Sequence, residues 1–193
     1  MTGDQVLLLV DRHLVLTLGH DSGRAAVSFL GADQIEVLRF GPGAEDLSRY
    51  VTLGMSRAPM ADPAADVVAQ DGPRAELVLS VRGQHDSVLR RLAALAASPS
   101  LEGVVVAPGA GLDLGEPLWD GARFTAVLVG EPGGLVPDLQ LEGEEPVRFL
   151  PLFPMTPNEA AWKRVNGAAA LEERWLTQGC DLRDPARPQA DLS

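Results

Sequence analysis

Apolar residues fall into runs of distinct period along the chain, and each period predicts a different element. Residues 5–18 are apolar nearly all round, broken only by Asp11-Arg12-His13. A helix over Gln5–Leu18 follows, with Asp4 as N-cap and Gly19 just past its end. Val and Leu also suit a strand, and that alternative stays open. Ala25–Leu30, Ile35–Phe40 and Tyr50–Gly54 are short β-type runs. Gly31-Ala32-Asp33 and Gly41-Pro42-Gly43 separate the first runs with turn chemistry. Residues 57–74 hold Pro59, Pro63 and Pro73 among Asp and Ala, and predict a long irregular surface segment. Glu76–Arg82 alternates as a strand does. In residues 86–97, Val88, Leu89, Leu92, Leu95 and Ala96 share one helical face, with Asp86 or Ser87 as cap and Ser98-Pro99-Ser100 as the stop.

Val104–Val106 and Phe124–Val129 predict further strands, and Val147–Phe153 another apolar run that Pro151 pushes to an edge or bend. Thr156-Pro157-Asn158-Glu159 is a capping box with proline at the first helical position. In the helix it opens, Trp162 and Val165 share a face, as do Ala168, Leu171 and Trp175, with Asn166-Gly167 as a break between them. Both tryptophans are expected in the core against the sheet. The strands come in runs joined by short turns, so the pattern is α+β with antiparallel neighbours rather than strict βαβ alternation. The expected organisation is one domain over residues 1–180 and a polar, Pro-containing, flexible tail over 181–193.

Charge changes the picture more than composition does. A 193-residue chain that is 46% hydrophobic and 22% charged can bury roughly 70% of its unfolded surface without a metal or disulfide. Its formal charge is −11, and Cys180 is the only cysteine. The first argues against nucleic acid as a partner, because phosphate binding requires clustered Lys and Arg. The second excludes an intramolecular disulfide and a cysteine-based zinc site. There is no basic leader and no apolar run of membrane-spanning length, so the chain reads as cytoplasmic, with no membrane partner. The acid is concentrated: residues 101–145 carry nine acidic side chains against Arg123 alone, net −8. Such a stretch is either a solvated face or a docking surface for a basic protein.

Catalytic chemistry is hard to find. His13, His20 and His85 have no second histidine at helical spacing, so no metal site is expected. Gly109, Gly111 and Gly115 follow a GxGxxxG spacing with no helix after them, and Asp113, Glu116 and Asp120 beside them would repel phosphate. Cys180 lacks any sign of an activating base. No catalytic residue and no cofactor is expected. Trp119, in Pro117-Leu118-Trp119-Asp120, either packs inward or anchors an interface.

Three stretches in order resemble the suppressor-of-fused family: Tyr50-Val51-Thr52-Leu53-Gly54-Met55-Ser56; then Glu76-Leu77-Val78-Leu79 with the Leu-rich helix and the later Ala107-Pro108-Gly109 and Leu112-Asp113-Leu114-Gly115; then Val147-Arg148-Phe149-Leu150-Pro151-Leu152 followed by Thr156-Pro157-Asn158-Glu159. Together they cover about residues 5–176. The resemblance implies an α+β fold with a bent, largely antiparallel sheet and flanking helices. Animal members bind a zinc-finger transcription factor in Hedgehog signalling. The chain looks like a short bacterial single-domain member without the animal proteins' second domain, so that role is not carried over. The bacterial relatives are often thought to be immunity proteins, and no catalytic residue is transferred. The expected function is a non-enzymatic protein-binding module, an immunity protein that neutralises a basic toxin by occlusion. Its expected contact residues are Asp113, Glu116, Trp119, Asp120, Glu131, Asp138, Glu142, Glu144 and Glu145. The alternative is a small-molecule-binding or enzymatic domain with a pocket in the sheet, and a secretion-system adaptor or chaperone is a third reading.

Overall fold

The computed structural model describes residues 1–61 and 72–193. Among these, eight strands form one sheet: β1 (Gly23–Val27), β2 (Ile35–Phe40), β3 (Leu47–Leu53), β4 (Arg74–Arg82), β5 (Gly111–Asp113), β6 (Ala126–Val129), β7 (Leu139–Leu141) and β8 (Glu144–Met155). Four helices flank it: α1 (Gly3–Leu18), α2 (Val88–Glu102), α3 (Pro157–Asn166) and α4 (Ala168–Thr177). The strand order is β1-β2-β3-β4-β8-β6-β5, with β7 also on β8. Every pairing is antiparallel except the central one, β4 with β8, which sets Arg74 beside Val147 and Leu79 beside Leu152.

Both faces of this sheet are covered, and the alternation along each strand feeds two apolar layers. Val37, Tyr50, Leu77, Leu79 and Leu150 join α2's Leu92 and Ala96 on one side. Leu38, Val51, Val78 and Phe149 meet α1's Val6, Val10 and Leu14 on the other. Beyond the end of β8, Met155, Leu128, Leu171 and Trp175 close a third cluster with α3 and α4.

The motif around Gly54 builds the seam between β3 and β4. Glu76 is fully buried and accepts from the Thr52 hydroxyl at 2.6 Å, the Ser56 hydroxyl at 2.6 Å, and the backbone N–H groups of Gly54 and Ser56 at 2.9 and 3.0 Å. Gly54 sits at φ 145°, and a Cβ there would stand 2.9 Å from both the Gln34 carbonyl and Ile35 Cδ1. Only glycine fits both the conformation and the space. These motif residues thus specify the fold.

Several local expectations give way to the structure. The N-cap of α1 is Thr2, not Asp4: its hydroxyl accepts from Gln5 N–H at 3.3 Å while Gln5 Oε1 accepts from Thr2 N–H at 2.9 Å. This reciprocal pair starts the helix earlier, and the strand alternative for the segment is excluded. Pro99 does not stop α2, which runs on to Glu102 and ends at Gly103 in the left-handed region. Proline at 99 deprives the Leu95 carbonyl of its helical N–H, and the Ser98 hydroxyl supplies a donor to it at 2.7 Å.

Among the described residues Val104–Val106 pairs with no strand and is a connector in which only Val106 is buried. β5 and β7 are three-residue strands without an alternation long enough to read. Much of the expected irregular segment 57–74, namely 62–71, lies outside the described residues, while Met60 is buried and Arg74 already belongs to β4. The capping box at Thr156 forms as expected, with Glu159 N–H to Thr156 Oγ1 at 3.2 Å and Thr156 N–H to Glu159 Oε2 at 2.8 Å. Gly167 separates α3 from α4.

The two helical tryptophans differ. Trp175 is buried, whereas Trp162 is half-buried with the Arg174 guanidinium 5.2 Å over its ring, and Val165 faces solvent. Residues 181–193 do not trail as a loose tail. Arg187 and Ala190 are buried, Arg82 pairs with Asp181, and the Arg82 N–H donates to the Arg183 carbonyl at 2.8 Å. The charge of Arg187 cancels against a carboxylate already buried in α3, which makes the polar segment a packing element.

Candidate functional site

The extension of α2 past Pro99 builds a groove that the helix as read from sequence would not reach. Leu95 and Glu102 from α2, Val104 from the connector, and Leu112, Asp113, Leu114 and Glu116 from β5 and its exit line a groove of about 320 Å³. Its lining is mixed: Leu95, Val104, Leu112 and Leu114 give it apolar surface, and Glu102, Asp113 and Glu116 give it three carboxylates. Glu102 adds its charge at the C-terminal end of α2, where the helix dipole is itself negative.

The carboxylates of the groove are only partly neutralised. Asp113 Oδ2 accepts from Arg164 of α3 at 2.8 Å, and its Oδ1 accepts from the Gly115 N–H at 3.0 Å. Arg91 of α2 lies between Glu116 at 3.6 Å and Asp120 at 3.5 Å. Two guanidinium groups and the Lys163 ammonium beside Gly111 thus stand against four carboxylates counted with Glu102. Glu116 and Asp120 side chains are 59% and 82% exposed, so they remain available to a partner's cation.

Trp119 is not an exposed anchor beside this groove. It is 3% exposed and lies 5.0 Å from the His85 ring and 5.8 Å from Phe124, centroid to centroid. Its loop is tied down by Leu118 N–H to the Phe124 carbonyl at 2.9 Å and Asp120 N–H to Ser87 Oγ at 2.9 Å. Those bonds fix the backbone so that the indole turns into the apolar layer under α2.

The other acidic residues of the 101–145 stretch are elsewhere. Glu131 and Asp138 lie on the connection from β6 to β7, and Glu142, Glu144 and Glu145 lie on the β7–β8 hairpin. That region meets α1: His13 Nε2 is 2.8 Å from the Pro137 carbonyl, and the Met1 ammonium donates to Glu144 Oε1 at 2.5 Å. Glu144 also accepts from Arg74 at 2.7 Å. The bond from the chain's N-terminal ammonium, with help from Arg74, holds its carboxyl below the usual carboxylate range. Glu144 is therefore occupied within the chain. The sheet separates Glu142 and Glu144 on the β7–β8 hairpin from Asp113, Glu116 and Asp120, because that hairpin packs with α1 while α2 covers the opposite face. The concentration of acid along the chain does not become one patch in space.

A second polar cluster joins β2, β3 and the start of α2. Arg39 donates to Asp86 at 2.5 Å, Tyr50 donates to Asp86 at 3.1 Å, and the His85 N–H donates to the Tyr50 hydroxyl at 2.7 Å. Burial pushes the Tyr50 phenol up to about 12, so it stays protonated and acts as a tether. Among the described residues no three His, Cys, Asp or Glu side chains are grouped to hold a metal ion, and no helix is long and apolar enough to cross a membrane.

A mixed α/β scaffold with a largely antiparallel sheet, carrying a surface groove lined in part by acidic residues, is the class that these observations define. The family model described as Suppressor of fused protein (SUFU) matches residues 31–188, and the chain belongs to that family. A SUFU homolog from Neisseria gonorrhoeae FA 1090 superposes with a TM-score of 0.70 at 20% identity, over 96% of this chain and 94% of that one. A chain of the Sufu–Fu complex does so at 0.64 and 9% identity, over 97% and 91%. Drosophila Suppressor of Fused gives 0.67 and 13% identity, over 95% of this chain but 50% of its own. At these identities the likeness is one of fold. No curated protein matches the chain.

Of the contact residues expected from sequence, Asp113 and Glu116 line this groove and Asp120 stands beside it near Arg91; Glu102, Leu95 and Val104 line it too and were not among those expected. Gly103 was the available signal: a glycine four residues past Pro99 marks a helix end better than the proline does.

Proposed function

We propose that the chain is a non-enzymatic protein-binding module that seats a basic, partly apolar segment of a partner in the groove between α2 and β5. The observation that carries this reading is that Glu102, Asp113 and Glu116 line one groove together with the apolar side chains of Leu95, Val104, Leu112 and Leu114. Apolar side chains of a partner would be desolvated against those apolar residues, and its Lys or Arg groups would meet the carboxylates. Membership of the suppressor of fused family supports a binding role, since one solved structure of that fold is of a Sufu–Fu complex. The finer reading is that the partner is a basic toxin and that binding occludes its working surface. The net charge of −11 supports it through attraction of such a partner at a distance.

The test takes any basic protein encoded by a neighbouring gene as the binding partner and follows its association with the chain against salt. Glu102→Lys, Asp113→Lys and Glu116→Lys together should slow association strongly at low salt. Near 1 M salt, where the Debye length is about 3 Å, the difference from the parent should shrink. Equal association rates at low salt would reject the groove as the docking site. Binding without loss of the partner's toxicity would reject neutralisation while keeping the interface.

A further inference from the structure

We infer that the outer face of α1 is the two-fold contact of a homodimer. The helix is apolar on both sides. Val6, Val10 and Leu14 are wholly buried against the sheet, yet Leu8 and Leu16 on the opposite side are 72% and 75% exposed. A helix covered on one side only should carry polar residues on the other. Here Leu8, Arg12 and Leu16 form a row at intervals of four, spanning about 12 Å at the helical rise. Beside the row, Met1, Gln5, Leu8, Leu9, Arg12 and Glu142 line a shallow apolar groove of about 630 Å³.

The charges on this face select the occupant. Arg12 stands at the middle of the row, and Glu142 projects from the β7–β8 turn at the rim of the same groove. Among the described residues neither has an ion-pair partner within the chain. One unpaired cation and one unpaired anion on a common apolar face make it self-complementary. In an isologous contact each residue meets its counterpart's partner twice. Two α1 helices packed antiparallel about Arg12 place Leu8 of one against Leu16 of the other. Each Arg12 then turns from the axis to Glu142 of the second copy. The two Arg12 side chains approach each other at the axis, and each is drawn off it by Glu142 of the second copy, so that both groups gain a counter-charge. The contact lies on the face of the sheet opposite the α2–β5 groove, so it leaves the proposed docking site open and does not depend on it.

The test measures the mass of the full chain by sedimentation equilibrium over a concentration series. The parent should approach twice the 20.4 kDa chain mass. Leu8→Glu with Leu16→Glu should give a monomer whose circular dichroism and melting match the parent, because both side chains are at the surface. Arg12→Glu and Glu142→Arg alone should each raise the dimer Kd by roughly tenfold or more, and the two together should restore it. A parent that is monomeric up to its solubility limit overturns the inference. So does a dimer that the leucine changes leave intact, or a charge exchange that fails to restore association.

Discussion

Arg187 meets the carboxylate of Glu159 with both ends of its guanidinium, at 2.8 and 2.9 Å, in a site where neither side chain sees solvent. The same carboxylate accepts from the Trp175 indole at 3.2 Å, the Ala190 N–H at 3.0 Å and the Thr156 N–H at 2.8 Å. The guanidinium lies over the rings of Phe124 and Trp175 at 4.8 and 5.4 Å. The pair thus fastens the last residues of the chain to the start of α3. Removing one partner leaves the other charge buried alone, so Arg187→Ala should cost about 3–5 kcal/mol. Arg187→Met with Glu159→Gln should cost less than the sum of the single changes. Urea unfolding of the four proteins checks both statements, and a loss under about 1 kcal/mol for Arg187→Ala would mean that the segment is not docked.

Two buried carboxylates should respond to acid in opposite senses. Burial alone would raise Glu159, but the Arg187 bonds and the N–H donors outweigh it and hold the folded-state carboxyl below its usual range. Its stabilisation is present above the unfolded value near 4.3 and is lost as pH falls through the folded value. For Glu76 burial is the stronger influence and raises the carboxyl despite the hydroxyl and N–H donors. Its contribution is full below the unfolded value and is lost as pH rises through the folded one. Relative to the parent, Glu159→Gln should therefore flatten the acid limb of the stability profile, and Glu76→Gln should flatten the loss on the side above that limb. Urea midpoints taken at closely spaced pH values read this; identical profiles for parent and both variants would refute it.

Truncation of Glu76 tests the seam between β3 and β4. Glu76→Ala leaves the donors of Thr52, Gly54 and Ser56 without their acceptor, each buried donor costing about 1–3 kcal/mol. The expected outcome is a loss above about 3 kcal/mol, with Glu76→Gln losing less because it retains an acceptor oxygen. Equal losses for the two variants in thermal unfolding would show that volume rather than hydrogen bonding matters there.

Trp162 and Trp175 should separate by burial. Trp175→Ala opens a cavity beside Leu171 and Met155 and removes a donor from Glu159, for a loss of about 3–5 kcal/mol. Trp162→Ala removes a half-buried ring and its contact with Arg174, for a loss nearer 1 kcal/mol. Comparable losses in the two melts would place Trp162 in the core after all.

The α+β class, the strand at Ile35–Phe40, the Thr156 cap and the Gly167 break were legible because each depends on neighbours in sequence. The fate of residues 181–193 was not, since a polar segment with two prolines gives no local sign that Arg187 will find a buried carboxylate in α3. Trp119 turned inward for the same reason: its direction is set by bonds from Leu118 and Asp120 to Phe124 and Ser87. The acidic stretch is the clearest case. Charge density along a chain reports composition, while the sheet between α1 and α2 decides which carboxylates become neighbours.

The parallel pairing of β4 with β8, the one such pairing among the described residues, has a consequence for how the chain is made. Arg74 and Leu79 find their partners only at Val147 and Leu152, after α2 and three further strands have been synthesised. An emerging chain that has completed the β1–β4 meander still lacks the strand that covers its inner edge. Such a distant closure is entropically slow, and until it happens β4 offers an apolar edge to any passing strand. Synthesis of residues 144–155 is therefore the step that commits the nascent chain, and interruption before it should yield aggregates rather than a smaller folded protein.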